Sequence, residues 1–195
     1  IMGVKNIGLF FGSFNPIHSG HLIIANYIIE FTDISEIWFI VSPQNPLKEK
    51  NSLIGNLHRI NMVNLAINDF SGFKSSDIEF NMSTPSYTVN TLTEFKNIYP
   101  DKDFILIIGA DNYNCFDKWK EPEKILNLCH QIFVYPRKNS PIIKANKYPK
   151  VKFIDAPIIE ISSTFIRNSI KQKKDIKYLL HQKVYEYIIK NNLYL

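Results

Sequence analysis

Two histidines three positions apart are the first residues of this sequence that could do chemistry. They are His18 and His21, in the stretch GSFNPIHSGH at residues 12–21. Gly20 between them starts a predicted helix, whose free N–H groups and dipole favour an anion. Each imidazole can donate a hydrogen bond and can be charged at modest cost near neutral pH. The pair therefore favours a site that binds polyphosphate and stabilises charge where a phosphoryl group reacts.

The loop before the histidines suits the same ligand. Gly12 and Ser13 permit close approach of the backbone, and Pro16 stiffens the loop. A metal site is a weaker interpretation, because helical zinc motifs place histidines at i and i+4 with a glutamate, and neither feature is present. We predict no metal site. Two turn histidines without a role are the remaining alternative.

A second stretch, ISSTFIRNSI at residues 161–170, could form another anion-binding helix start. Ser162 or Ser163 could cap the helix, and Thr164 adds a hydroxyl near its N-terminus. Arg167 supplies a forked cation one turn along. Such caps are common, so this motif alone is a weak signal.

Alternating apolar runs and amphipathic stretches must position these motifs. Candidate strands are 4–11, 36–42, 77–81, 103–109, 130–136 and 151–156, and candidate helices are 20–31, 55–69, 88–99 and 122–129. Strands alternating with helices predict an α/β fold, a doubly wound, mostly parallel sheet flanked by helices. The pattern becomes helical after residue 157, which predicts a core at 1–157 and a helical C-terminal part at 158–195. Ligands of such sheets bind beyond the carboxyl ends of the strands, where the first motif lies.

Two further expectations concern particular segments. In the helix at 55–69, Leu57, Ile60, Met62, Val63 and Ala66 should share the buried face. The Pro/Lys-rich segment 136–150 is the best candidate for a surface loop.

The bulk composition narrows the class of protein. The net charge of +5 could indicate nucleic acid, but most lysines are scattered and the densest run, at 171–177, looks like a solvated helix start. We therefore predict no nucleic-acid partner.

The apolar runs are too short to cross a bilayer and no signal segment opens the chain, so we expect a cytoplasmic protein without a membrane partner. Cys115 and Cys129 show no CxxC spacing, which argues against a disulfide framework or cysteine zinc site.

The two motifs together resemble a known superfamily. GSFNPIHSGH looks like the (T/S)FxPxHxGH signature of the nucleotidyltransferase α/β-phosphodiesterase superfamily, and ISSTFIR resembles its ISxTxIR signature, where a helix holds the β- and γ-phosphates of a nucleoside triphosphate. The resemblance implies a Rossmann-like nucleotidyltransferase. The first signature does not name the substrate.

The middle of the chain resembles bacterial nicotinate-nucleotide adenylyltransferases, at TPSYTVNTL (84–92), IIGADN (107–112) and DKW (117–119). The resemblance implies that Tyr87 and Thr88, at a loop-to-helix junction, receive a carboxylate. It also implies that Trp119 stacks on a pyridine ring and that Asp111 meets ribose hydroxyls. A plain helix cap and a core tryptophan are the alternatives.

The resemblance implies three overlapping sets of site residues. The catalytic residues would be His18, His21, Lys48 and Arg167. ATP would be bound by Gly12, Ser13, Phe14, His18, Gly20, His21, Gly109, Asp111, Ser163, Thr164 and Arg167. The mononucleotide would be bound by Ser13, Asn45, Lys48, Tyr87, Thr88, Asp111 and Trp119.

Some positions depart from the family pattern. Asn15 replaces the usual aspartate of the first motif, which removes a charge but keeps a turn-forming side chain. Leu47 stands where a histidine is common, beside the retained Lys48. Arg137 lies near the R-P-G turn of many relatives.

The implied activity is condensation of nicotinate mononucleotide with ATP to give nicotinate adenine dinucleotide and pyrophosphate, with Mg²⁺ arriving on ATP. Alternatives are an adenylyltransferase for nicotinamide mononucleotide, phosphopantetheine or another phosphorylated metabolite, a silent nucleotide-binding relative, and a basic nucleic-acid-binding module. The terminal helix could pack internally or on a partner, so a homo-oligomer is possible.

Overall fold

A six-stranded parallel sheet forms the centre of the protein. The structure is a computed structural model that describes residues 6–44, 53–141 and 147–195. The strands are β1 (Asn6–Gly12), β2 (Glu36–Val41), β3 (Phe73–Ser76), β4 (Asp103–Gly109), β5 (Gln131–Tyr135) and β6 (Val151–Phe153). Their order is β3-β2-β1-β4-β5-β6, and every adjacent pair is parallel. The predicted doubly wound α/β fold is confirmed.

Helices cover both faces of the sheet. They are α1 (Ser19–Phe31), α2 (Asn56–Ile67), α3 (Thr88–Ile98), α4 (Ala110–Asn114), α5 (Pro122–Leu128), α6 (Ser163–Lys171) and α7 (Gln182–Lys190). Short 3₁₀ turns lie at Ile78–Asn81, Phe116–Lys118 and Lys177–Leu179. The chain beyond residue 157 is helical, as predicted, and α7 packs against α2. None of the described helices is long and apolar enough to cross a membrane.

Alternation along the central strands separates two apolar cores. In β4, Ile105 and Ile107 face the core shared with α1, α2, α6 and α7, while Phe104, Leu106 and Ile108 face the core shared with α3 and α5. Both faces are buried, which explains why these strands are apolar throughout. The C-terminal helices thus share their core with the first two helices.

The strand predicted at 77–81 is wrong. The third strand is β3, and residues Ile78–Asn81 form a 3₁₀ turn instead. The alternation of DIEFN indicates a strand with its apolar residues inside, but the buried side chain is Glu79, which is 1% exposed. Its Oε1 accepts a hydrogen bond of 2.7 Å from Thr91 Oγ1 of α3. A buried polar contact therefore fixes this segment, while β3 is a short, half-exposed strand without an apolar signature.

The predicted surface loop at 136–150 is described only in part. Residues 136–141 and 147–150 contain no helix or strand. The remainder, 142–146, lies outside the described residues.

Candidate active site

The two sequence motifs meet at the carboxyl edge of the sheet. The chain leaves β1 toward β2 on one side and later returns to β4 on the other, so a crevice opens between the ends of β1 and β4. A cavity of about 560 Å³ lies there. The first motif, the second motif and the end of β4 all contribute to its walls, through Gly12, Ser13, Phe14, Asn15, His18, His21, Asp111, Ser163, Thr164 and Arg167.

The two histidines face each other at the start of α1. Their ring centroids are 3.8 Å apart. The backbone N–H of His18 donates to Nδ1 of His21 at 3.2 Å. Because Nδ1 accepts, the neutral His21 imidazole carries its proton on Nε2 and can donate there. Phe14 packs edge-on against this ring at 5.1 Å and helps to fix its orientation.

His18 is buried and is neutral at neutral pH. Burial first, and then the positive charge of Arg137, lowers the pKa of His18 to about 4. Charging His18 therefore costs desolvation, contrary to the expectation that it is charged at modest cost. Its Nδ1 is buried without a hydrogen-bond partner among the described residues. An anion bound beside it would favour the protonated form.

The second motif binds directly to the first. Of the two candidate caps, Ser162 is the one used, since its side chain accepts from the backbone N–H of Phe165 at 3.1 Å. Ser163 Oγ instead donates to the carbonyl oxygen of Pro16 at 2.9 Å. The N-terminus of α6 is thereby fixed against the loop that carries the histidines.

Arg167 connects the same two segments. Its Nη1 donates to the carbonyl oxygen of Asn15 at 2.9 Å, and its Nη2 donates to Thr164 Oγ1 at 3.3 Å. Both contacts hold the planar guanidinium against the cavity wall. Such a fork suits a phosphate group, which it can contact through two parallel N–H donors.

A second, smaller cavity of about 180 Å³ adjoins the first. Phe10, Phe11, Asn112 and Tyr135 line both, so the two are continuous. Tyr87, Thr88, Gly109, Trp119 and Glu79 line the smaller one. The cleft thus has a polar compartment beside the histidines and a compartment with aromatic walls beside α3.

The compartment with aromatic walls presents polar groups beside its aromatic rings. Tyr87 precedes α3 and Thr88 is its first residue, as predicted. Trp119 ends the 3₁₀ turn Phe116–Lys118, and its Nε1 is buried without a partner in the described part of the chain. Burial raises the pKa of Glu79, and hydrogen bonds from the hydroxyls of Thr91, Ser42 and Ser86 oppose this rise.

Asp111 and Arg137 form an ion pair in the wall of the polar compartment. Arg137 Nε is 3.8 Å from Asp111 Oδ1, and Arg137 Nη2 donates to Tyr135 Oη at 3.2 Å. Gly109 has to be small here, because a Cβ atom would lie 2.4 Å from Asp111 Oδ1. Arg137, whose role the sequence left open, therefore lines the polar compartment near His18.

The other predicted residues differ in where they lie relative to the cleft. Tyr87, Thr88, Gly109 and Trp119 line the smaller compartment, and Ser13 and Asp111 line the larger one only. Gly20 lies behind the histidines, where a Cβ would come within 3.0 Å of His18 Nδ1. Asn45 and Lys48, together with Leu47, lie outside the described residues.

Sequence reasoning missed Arg59, which supports the site from behind. It is 0% exposed, and its Nη1 donates to the carbonyl oxygens of Ser13 at 2.6 Å and Ser42 at 2.7 Å. Its Nε donates to the Ile54 carbonyl oxygen, and its Nη2 to Asn56 Oδ1 and the Pro43 carbonyl oxygen. Arg59 therefore connects the loops that follow β1 and β2. An arginine in an otherwise ordinary helix gives no signal of this role.

Known proteins resemble the chain over most of its length. Residues 9–169 match the family model described as cytidylyltransferase-like. A protein of Flavobacterium johnsoniae, named a probable nicotinate-nucleotide adenylyltransferase, is 53% identical over 96% of this chain and 98% of its own. A protein of the same name from Bacteroides thetaiotaomicron is 46% identical over 93% and 89%.

A solved structure has the same fold. It is the nicotinic acid mononucleotide adenylyltransferase of Plasmodium falciparum complexed with NaAD, with a TM-score of 0.83 and 29% identity over 97% of each chain. The same protein complexed with APC gives a TM-score of 0.81. The chain belongs to the cytidylyltransferase-like family and, within it, to the nicotinate-nucleotide adenylyltransferases.

Proposed function

We propose that the protein transfers the adenylyl group of ATP to nicotinate mononucleotide, giving nicotinate adenine dinucleotide and pyrophosphate. The observation that carries this is a polar compartment, built by the two joined motifs, that continues into a compartment lined by Tyr87, Thr88 and Trp119. The names of the relatives and the NaAD complex of the Plasmodium enzyme support the same reaction.

The reaction is a direct displacement at phosphorus. The 5′-phosphate oxygen of the mononucleotide attacks the α-phosphorus of ATP in line, and the bond to the β-phosphate bridging oxygen breaks. Its electron pair leaves on pyrophosphate. No group on the protein becomes adenylylated during the reaction. Catalysis therefore comes from positioning and charge stabilisation.

The histidines would stabilise the phosphates while charge moves to the leaving group. His21 would donate from Nε2, since its Nδ1 accepts from the backbone N–H of His18. His18, whose pKa is lowered by burial, would donate as neutral imidazole or gain a proton beside the anion. Ser163, Thr164 and Arg167 would hold the leaving pyrophosphate, as their place in the same cavity permits.

We propose that Mg²⁺ accompanies ATP, since enzymes usually bind triphosphates as magnesium complexes. It would neutralise part of the phosphate charge. Within residues 6–44, 53–141 and 147–195 no group of three or more His, Cys, Asp or Glu side chains could hold a metal ion. We therefore assign it no protein ligand. Lys48 stays a predicted phosphate cation.

The compartment lined by Tyr87, Thr88 and Trp119 would take the pyridine end of the mononucleotide. Trp119 can stack on the ring, and the helix start at Thr88 favours a carboxylate through its N–H groups and dipole. A neutral amide gains less from that dipole. The acid should therefore be preferred over the amide.

The test is a pyrophosphate-release assay with ATP and a panel of mononucleotides. We expect kcat/KM for nicotinate mononucleotide to exceed that for nicotinamide mononucleotide by about tenfold or more. A preference for the amide would contradict the substrate assignment while leaving adenylyl transfer intact. Absence of release with every mononucleotide would contradict the activity itself.

A further inference from the structure

The last tyrosine of the sequence, Tyr194, reaches the first motif. Tyr194 follows α7, and its Oη donates to Asn15 Oδ1 at 2.9 Å, although 179 positions separate the two residues. Its backbone is left-handed, with φ of 67°. A bulky residue adopts that conformation only where its surroundings hold it. The contact is therefore a fixed part of the fold.

Tyr194 stays a hydrogen-bond donor throughout the neutral range. Burial of the ring raises the pKa of the Tyr194 phenol, and the positive charges of Arg167 and Arg59 only partly oppose this rise. The phenol therefore remains protonated, and it can hold the Asn15 side chain through its amide oxygen.

Asn15 is where the C-terminus, the first motif and the second motif meet. Besides Tyr194, the Asn15 Oδ1 accepts from the backbone N–H of Ile54 at 3.4 Å. Its carbonyl oxygen accepts from Arg167 Nη1 at 2.9 Å. The residue is buried and lines the larger cavity. Movement of Asn15 would thus displace the Arg167 guanidinium, which lines the same cavity.

We propose that Tyr194 is a positioning residue of the triphosphate compartment, acting through Asn15 on Arg167. The proposal rests on the proposed function only in taking ATP as the ligand. Tyr194 touches no reacting atom in this arrangement. Loss of the Tyr194 hydroxyl should therefore weaken the binding of ATP. The mononucleotide compartment, on the other side of Tyr135, should be unchanged.

The chain offers a matched control for this idea. Tyr187 lies on α7, and its Oη contacts His58 Nδ1 at 2.9 Å and Asn61 Nδ2 at 3.3 Å, both on α2. Replacing Tyr187 or Tyr194 by phenylalanine removes one hydrogen-bonded hydroxyl from the same end of the chain. Only Tyr194 contacts the phosphate-binding loop.

The experiment measures ATP affinity by calorimetry and both KM values by pyrophosphate release. We expect Tyr194→Phe to raise the Kd and KM for ATP about three- to tenfold, as for one lost hydrogen bond. The KM for nicotinate mononucleotide should stay within about twofold. Tyr187→Phe should leave the Kd for ATP unchanged. Unaltered ATP binding by Tyr194→Phe, or equal weakening by both variants, would overturn the proposal.

A double-mutant cycle tests whether the effect passes through Asn15. In an Asn15→Ala background, Tyr194→Phe should not change the Kd for ATP further. A full additional loss there would overturn the proposed route. A wild-type protein that binds ATP in a Tyr194-dependent way, yet releases no pyrophosphate, would contradict the proposed function and still support the positioning role.

Discussion

His18 is neutral because it is buried, and this has a consequence for stability. Its pKa is about 4 in the folded protein and 6.5 when exposed, so between these values only the unfolded chain binds the proton. Stability therefore rises with pH across that interval. Well above pH 6.5 neither state is protonated, and the contribution no longer changes.

We expect the wild-type free energy of unfolding to fall by about 3 kcal/mol relative to His18→Asn as pH decreases from 6.5 to 4. The asparagine variant has no imidazole to charge, so its difference from the wild type isolates this residue. Urea denaturation at a series of pH values measures the difference. A difference that stays constant across the interval would contradict the neutral, buried His18.

At the scale of single residues, the sequence singled out candidate site residues whose side-chain type already indicates their chemistry. His18, His21 and Arg167 are rare, polar and placed beside helix starts, so their motifs indicate phosphate binding. Glu79, Arg59 and Tyr194 give no such sign. Their roles depend on burial and on partners far along the chain, and single-sequence periodicity reports neither.

At the scale of elements, α2 shows how a helix pattern can mislead. Leu57, expected on the buried face, is 72% exposed, whereas Arg59 two positions later is fully buried. The remaining members of that face, Ile60, Met62, Val63 and Ala66, are buried as predicted. The first turn of α2 faces the ends of β1 and β2. Buried backbone carbonyl oxygens there require hydrogen-bond donors, and Arg59 supplies them.

Replacing Arg59 should therefore destabilise the protein. Arg59→Met should cost about 3–5 kcal/mol, because it leaves buried carbonyl oxygens without donors and removes a hydrogen-bonded charge. Arg59→Lys should recover only part, since an ammonium cannot reproduce the fork. Urea denaturation measures both. A methionine variant within about 1 kcal/mol of the wild type would contradict this role for Arg59.

The third strand is a second element that the local sequence pattern does not predict. The sequence predicted β1, β2, β4 and β5 to within a few residues, because buried parallel strands are continuous apolar runs. The edge strand β6 lies within the predicted range 151–156. The other edge strand, β3, was misplaced because its sequence FKSS contains no apolar run. The 3₁₀ turn that follows is fixed by Glu79 and Thr91, a contact between segments rather than a local pattern.

At the scale of the whole molecule, the parallel topology brings distant motifs together. Residues 12–21 follow β1, and residues 161–170 belong to the C-terminal helices, yet Ser163 contacts Pro16 and Arg167 contacts Asn15. The order of motifs along the chain could be predicted from resemblance. The hydrogen bonds that join them could not, since they depend on how α6 packs against the first loop.

The central claim is that the joined motifs form the centre of adenylyl transfer, and His21 tests it most directly. Pyrophosphate release from ATP and nicotinate mononucleotide should fall about 10²–10³-fold in His21→Ala, because an oriented donor at the reacting phosphates is lost. Circular dichroism should show that the variant is still folded. Turnover of the folded variant close to that of the wild type would contradict the account.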